Sequence, residues 1–154
     1  MKAADFDISN AVTETAESFR DFAENNGHTL KIDVAPQLTY HGDEYAVRQL
    51  VSILLDNAVK YALADSAIEL RLTKSRKGVT LYTKNACEPI PQETANRLFD
   101  RFYRADPSRN KATGGFGIGL SIARSIAEGH HGKISAACKQ DGENSYMEFT
   151  VELR

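Results

Sequence analysis

With 154 residues, 42% of them apolar and 26% charged, the chain has the size and composition of one globular domain able to bury its own core. Its net charge of -2 supplies no basic field, which disfavours nucleic acid as the main partner. Cys87 and Cys138 form no Cys-x-x-Cys pair, and neither an apolar run of about 18 residues nor a secretory h-region is present, so a soluble segment is expected, with free thiols in a reducing compartment as the first reading and one disulfide as the alternative.

In chain order, Phe6 to Ile8 is a short apolar stretch, and Ser9 offers an N-cap for a helix carrying Val12, Ala16, Phe19 and Ala23. Asn25-Asn26-Gly27 stops that helix. Leu30, Ile32 and Val34 alternate with polar residues as a strand ending at Pro36. His41-Gly42-Asp43 then turns the chain into the longest helix, Glu44 to Leu63. Ile68, Leu70 and Leu72 pair as a hairpin with Val79, Leu81 and Thr83 across a Lys74 to Gly78 turn. From Asn85 to Gly119 the pattern is irregular, apart from a short amphipathic piece around Thr94 to Tyr103. So long a connection in a compact domain marks either function or a misassigned element. A helix from Leu120 to Glu128 ends at His130-His131-Gly132. Ile134 to Lys139 and Tyr146 to Leu153 close the chain as a hairpin across Asp141-Gly142-Glu143-Asn144. Residues 1–154 are thus predicted to be a single α+β two-layer sandwich, a mixed sheet with helices on one face.

The long helix carries an apolar stripe of Val47, Leu50, Val51, Leu54 and Ala58. At about 100° per residue, Tyr61 lies roughly 40°, Asn57 roughly 80° and Lys60 roughly 140° from its centre. These three are i, i+3, i+4 neighbours along one edge of the buried face. An amide, an ammonium and an aromatic ring in that array suit a metal oxygen site, a phosphate and a flat base; core-edge packing and backbone bonding are the alternative reading. Ile53 is off the stripe on the same side, so something is expected to cover that surface.

Thr113-Gly114-Gly115-Phe116-Gly117-Ile118-Gly119 runs directly into a helix. Glycines let a backbone approach an anion closely, and a helix start offers unpaired N–H groups. Arg101, Arg104, Arg109 and Lys111 lie just upstream. No Lys-Ser/Thr follows the glycines, which excludes a Walker loop, and no βαβ context supports a dinucleotide fold.

Taken together, three segments resemble the boxes of sensor histidine kinases. Leu54-Leu55-Asp56-Asn57-Ala58-Val59-Lys60-Tyr61 resembles the N box, Leu98-Phe99-Asp100-Arg101-Phe102-Tyr103-Arg104 the F box, and Gly115-Phe116-Gly117-Ile118-Gly119-Leu120-Ser121-Ile122-Ala123 the G2 box. His131-Gly132-Lys133-Ile134 is similar to the segment that follows. The resemblance implies the Bergerat (GHKL ATPase) fold and the cofactors ATP and Mg²⁺. It also implies Asn57 as metal ligand, Lys60 as phosphate contact and Tyr61 beside adenine and ribose; Asp56 is a candidate to orient the accepting histidine, or equally to form only an i, i+4 pair with Lys60. Gly115, Gly117 and Gly119 are implied as phosphate-binding N–H donors. A lid of about 100–114 would bring Arg101, Arg104 and Lys111 to the phosphates, with Ile90, Phe99, Phe102, Ile118 and Leu120 lining the nucleotide pocket.

The implied reaction moves the ATP γ-phosphoryl to a histidine on a separate dimerisation domain, then to a response-regulator aspartate. The chain would then be a monomeric cytoplasmic domain of a membrane-anchored bacterial sensor, without membrane contact of its own. Three departures from the family pattern stand out. The adenine-binding D-x-G-x-G box falls on Asn85-Ala86-Cys87-Glu88-Pro89, the upstream Asn of the N box falls on Ile53, and no His-Glu-x-x-Thr/Pro helix occurs. The first motivates an alternative, a pseudokinase or nucleotide-sensing module of weakened ATP affinity. Ile53 also lacks the carboxylate that an Hsp90- or MutL-type ATPase would use on water, and the F box and long lid argue against an anti-sigma serine kinase.

Overall fold

Alternation along the strands decides which side of the sheet the helices cover. The computed structural model describes residues 2–101 and 119–154. In chain order its elements are β1 (Ala4–Asp7), α1 (Ile8–Glu17), α2 (Arg20–Asn25), β2 (Thr29–Val34), β3 (Thr39–Gly42), α3 (Glu44–Tyr61), β4 (Ala67–Ser75), β5 (Gly78–Ala86), α4 (Gln92–Asn96), α5 (Gly119–Gly129), β6 (Lys133–Asp141) and β7 (Asn144–Leu153). The main sheet runs β2-β4-β5-β7-β6, with β2 and β4 parallel and the other pairs antiparallel. One face buries Ile68, Leu70, Leu72, Val79, Leu81, Phe149, Val151 and Leu153. The other carries charges in register: Lys31 opposite Glu69, Glu69 opposite Lys84, and Lys84 opposite Glu148. On that face Arg71 lies 5.3 Å from the Tyr82 ring centre, and Lys84 lies 4.4 Å from that of Tyr146. A face built this way stays in water, so the helices take the other, and the predicted α+β sandwich with a mixed sheet is what the chain adopts.

Helix α3 contacts both α1 and α5 and lies against β5. It buries Val47, Leu50, Val51, Leu54, Leu55, Ala58 and Val59, a broader stripe than the sequence predicts because it has neighbours on two sides. Ala123 and Ala127 are the buried side chains of α5, and their small size lets the helix axes approach closely.

The structure corrects three local readings. The helix expected from Val12 through Ala23 breaks at Ser18-Phe19, where the Phe19 N–H bonds to Ala16 O and the Ser18 hydroxyl donates to Thr15 O. Its N-cap is Asp7, accepting from the Asn10 N–H at 2.9 Å. Ser9 is instead buried, donating to Ala35 O at 2.6 Å and accepting from the Leu38 N–H at 2.9 Å. Finally, His41 and Gly42 are not a turn but the end of β3, which pairs antiparallel with β1. A Cβ at Gly42 would come within 2.4 Å of the Tyr40 ring and 2.8 Å of His130, so only glycine fits.

His130 ties the end of α5 to the start of α3. Its buried ring accepts the Asp43 N–H at Nε2 (3.1 Å) and sets Nδ1 2.8 Å from Ile126 O, so Nδ1 is the nitrogen that donates. Asp43 in turn caps α3 by accepting the Ala46 N–H. After His130 the chain makes a Schellman stop: His131 has φ 61°, its N–H bonds to Glu128 O, and the Gly132 N–H bonds to Ala127 O. Gly132 is required by a neighbour, since a Cβ there would lie 1.6 Å from Glu152 O.

Gly132→Ala is therefore expected to cost about 3 kcal/mol or more in chemical denaturation, the range of a severe backbone clash. The Asp43 carboxyl is held below the usual aspartate range, first by the Ala46 N–H, so the unfolded state binds its proton more readily. The cap is thus at full strength above about pH 4 and is lost as pH falls through the lowered value. Asp43→Asn should flatten that part of the acid dependence in denaturation curves measured from about pH 2 to 6.

Candidate functional site

The last turns of α3 hold Asn57, Lys60 and Tyr61 half-buried at the helix edge, where the helical wheel puts them. Lys60 Nζ lies 3.1 Å from Asp56 Oδ2, with both side chains partly exposed. Such a pair contributes well under about 1 kcal/mol, so a more highly charged anion can draw Lys60 away at little cost. Just beyond the helix, the Leu63 N–H bonds to Ala86 O at 3.0 Å. That bond fastens the exit of α3 to the end of β5, where Asn85 sits.

Asn85 is only 3% exposed, with Ile68 and Met147 as its register partners. Its Nδ2 donates to Ala86 O at 3.1 Å, which uses one of two amide hydrogens. Two residues earlier, Thr83 is fully buried and its hydroxyl has no hydrogen-bond partner among the described residues. The inner face of β5 therefore changes from apolar at Val79 and Leu81 to polar at Thr83 and Asn85. An unpaired buried hydroxyl costs on the order of 1–3 kcal/mol, a cost that a ligand or water arriving there would remove. Sequence reasoning missed Thr83, whose one signal is a hydroxyl where the alternation reserves a place for an apolar residue.

Beyond β5, the Cys87 N–H extends the ladder to Ser145 O at 2.9 Å. Its Sγ is 4.0 Å from that of Cys138, and both thiols are free. Burial, and then the neighbouring sulfur, push the Cys87 thiol up to about 12. Ile90 is half-buried on the core, with its N–H 3.5 Å from Cys138 Sγ.

The surface around Ile53 is covered by the start of α5: a Cβ built at Gly119 would lie 3.7 Å from Ile53 Cγ2. Gly119 and Leu120 thus lie over the side of α3 that also bears Asn57. Phe99 is buried edge-on against Phe149, ring centres 5.9 Å apart, and Arg101 is exposed. Asp100 reaches Arg97 at 3.6 Å and Arg124 of α5 at 4.0 Å, linking this segment to α5. The fold thus gathers the edge of α3, the end of β5 and the start of α5. Phe102, Arg104, Lys111, Gly115, Gly117 and Ile118 lie outside the described residues, as does most of the expected lid.

Each histidine is occupied elsewhere. His28 is buried with Nδ1 3.1 Å from Ser66 O, His41 pairs with Asp5 at 2.8 Å, His130 bridges α5 to α3, and His131 is the left-handed residue of a helix stop. None stands on an exposed helix face. Among the described residues, no helix is long and apolar enough to cross a membrane.

Comparison with known proteins gives this geometry a family. Residues 42–154 match the model of the histidine kinase-, DNA gyrase B- and HSP90-like ATPases. Over 136 residues the chain is 33% identical to the signal transduction histidine-protein kinase BaeS of Escherichia coli K12, covering 88% of this chain and 28% of that protein. It is 42% identical over 105 residues to the probable sensor kinase SilS of Salmonella typhimurium, covering 68% of this chain and 21% of the relative. The chain thus spans about a fifth to a third of the length of the curated relatives it matches. Among solved structures, the catalytic domain of histidine kinase ThkA superposes with a TM-score of 0.81 at 22% identity, covering 99% of this chain and 97% of that one. The mycobacterial sensor histidine kinase MprB gives 0.80 at 20% identity, with 99% of each chain covered. With residues 42–154 matched by the family model and relatives of 33–42% identity named as sensor kinases, the chain belongs to the histidine kinase-, DNA gyrase B- and HSP90-like ATPase family, and within it resembles the catalytic domains of sensor histidine kinases.

Proposed function

We propose that this chain binds ATP with Mg²⁺ and is the catalytic part of a two-component sensor histidine kinase, passing the γ-phosphoryl to a histidine on a separate dimerisation domain. A response-regulator receiver domain would then take the phosphoryl group. The observation that carries this reading is the placement of Asn57 and Lys60 on one edge of α3, beside the start of α5 at Gly119.

The residues present fit the ligand. The Asn57 amide oxygen is a hard, neutral ligand of the kind Mg²⁺ accepts alongside phosphate oxygens and water. Mg²⁺, when bound, supplies charge that offsets the phosphates. Phosphoryl transfer asks a protein mainly for positioning and charge neutralisation. Lys60 answers the second need, and its pair with Asp56 holds it near the site until a phosphate competes. In this reading Asp56 is a positioning residue rather than a base, because a neutral imidazole is already nucleophilic. Tyr61 lies beside the nucleotide, with Ile90, Phe99 and Leu120 as further walls. At the other end, the Asn85 carbonyl accepts from an adenine amino group, and its spare N–H donates to a ring nitrogen. Gly119 closes the glycine loop at the phosphate end, and Arg101 is the described cation of the lid.

Titration calorimetry with Mg-ATP is expected to show binding to the parent chain and none to Asn57→Ala at millimolar nucleotide. A parent chain silent under those conditions would sink the proposal. Asn85→Asp should tighten ATP several-fold, worth about 1 kcal/mol, by making the adenine hydrogen bond charge-assisted. It should also lower the melting temperature of the nucleotide-free chain, because a carboxylate there loses the bond to Ala86 O. An unchanged or weaker affinity means that Asn85 is not the adenine contact. Mixing the chain with a separately produced dimerisation domain and labelled ATP tests the transfer itself, with an acid-labile phosphohistidine as the expected product.

A further inference from the structure

Cys87 and Cys138 are 51 positions apart in sequence, yet their sulfurs lie 4.0 Å apart. The fold brings them together on the helix-covered face. Cys87 continues the inward series of Thr83 and Asn85 on β5, and Cys138 of β6 stands opposite buried Met147. Between them the chain from 87 to 92 crosses from β5 to β6. Its first end is held by the Cys87 N–H on Ser145 O, and its far end by Gln92 Nε2 on Ala136 O at 2.9 Å. Midway, the Ile90 N–H is directed at Cys138 Sγ. A disulfide needs its sulfurs about 2.05 Å apart, so closure asks for about 2 Å, shared by two side chains and an irregular connection. Among the described residues no group of three or more His, Cys, Asp or Glu side chains converges, so the pair is not part of a larger metal-ligand set.

We propose that Cys87 and Cys138 form a reversible dithiol–disulfide pair, oxidised by a hydroperoxide, whose closure weakens nucleotide binding at the Asn85 end of the site. The regulatory half rests on the reading of Asn85 given above. Asn85 and Ile90 bracket Cys87, so drawing Cys87 towards β6 moves both walls of that end.

Cys138, the more exposed of the two, reacts first. Its thiolate sulfur attacks a peroxide oxygen; the S–O bond forms, the O–O bond breaks, and the departing oxygen leaves as water or alcohol after protonation. Cys87, which burial keeps as a thiol, then gives up its proton as its sulfur attacks the Cys138 sulfur. The S–S bond forms, the S–O bond breaks, and hydroxide leaves with that proton as water. The two electrons lost by the sulfur pair are those gained by the peroxide, and an external dithiol restores both thiols.

The test treats the reduced chain with stoichiometric hydrogen peroxide, maps peptides without reduction, and titrates Mg-ATP before and after. The expected results are a linked Cys87–Cys138 peptide two hydrogens lighter than the free pair, reversal by dithiothreitol, and an affinity about tenfold weaker while the link is present. Cys138→Ser should form no link and keep its affinity through peroxide treatment. A missing link, a link with unchanged affinity, or an equal loss of affinity in Cys138→Ser each overturns the proposal. A reduced chain that binds no ATP overturns the nucleotide reading and the regulatory half with it, a result that peptide mapping of the link keeps distinct.

Discussion

Helix α3 is seated on β5 by burial of its apolar face, and the positions of the other functional groups are measured from that contact. Each fully buried Val or Leu contributes roughly 1.5–3 kcal/mol, and α3 buries several of them. The ion pair between Lys60 and Asp56 contributes far less, so packing fixes the helix and the pair only tunes it. The half-buried edge of a helix held this firmly can present Asn57, Lys60 and Tyr61 in a constant geometry. The bond from the Leu63 N–H to Ala86 O carries that registration across to Asn85.

Polar atoms inside the fold are committed in a way that separates structure from function. His130, Ser9 and His28 are buried and satisfied, each bridging elements distant in sequence. Thr83 is buried and unsatisfied, and it stands next to the amide of Asn85. A satisfied polar group explains itself as architecture. Among the described residues the Thr83 hydroxyl and the Tyr40 hydroxyl are left unsatisfied, and of the two only Thr83 lies on β5 two residues from an inward amide.

The two ends of the site are therefore unlike in character. At the α3 and α5 end, a half-exposed amide and a weakly tethered ammonium suit a charged, hydrated ligand. At the β5 end, a buried amide, a buried hydroxyl and a buried thiol make a drier environment with few polar groups. Asn85 in place of a carboxylate also avoids burying a net charge beside Ala86 O when the site is empty.

The sequence by itself determined the strand alternation, the apolar stripe of α3 and the glycine-rich entry to α5, because each is a periodic or local signal. From these the α+β sandwich and the grouping of Asn57, Lys60 and Tyr61 could be read directly. It did not determine that Ser9 ties α1 to the connection between β2 and β3 while Asp7 caps the helix, or that His41-Gly42 pairs with β1, since a side chain's partner across the fold leaves no local pattern. The reason for Gly42 and Gly132 was equally hidden: each is forced by a neighbour, the Tyr40 and His130 rings in one case and the Glu152 carbonyl in the other. Only the tertiary structure decided that Ile53 lies beneath Gly119, that Thr83 has no partner among the described residues, and that two cysteines 51 positions apart come into contact. Those relations arise from strand order and helix packing, which bring together residues whose spacing in the chain carries no information about their distance.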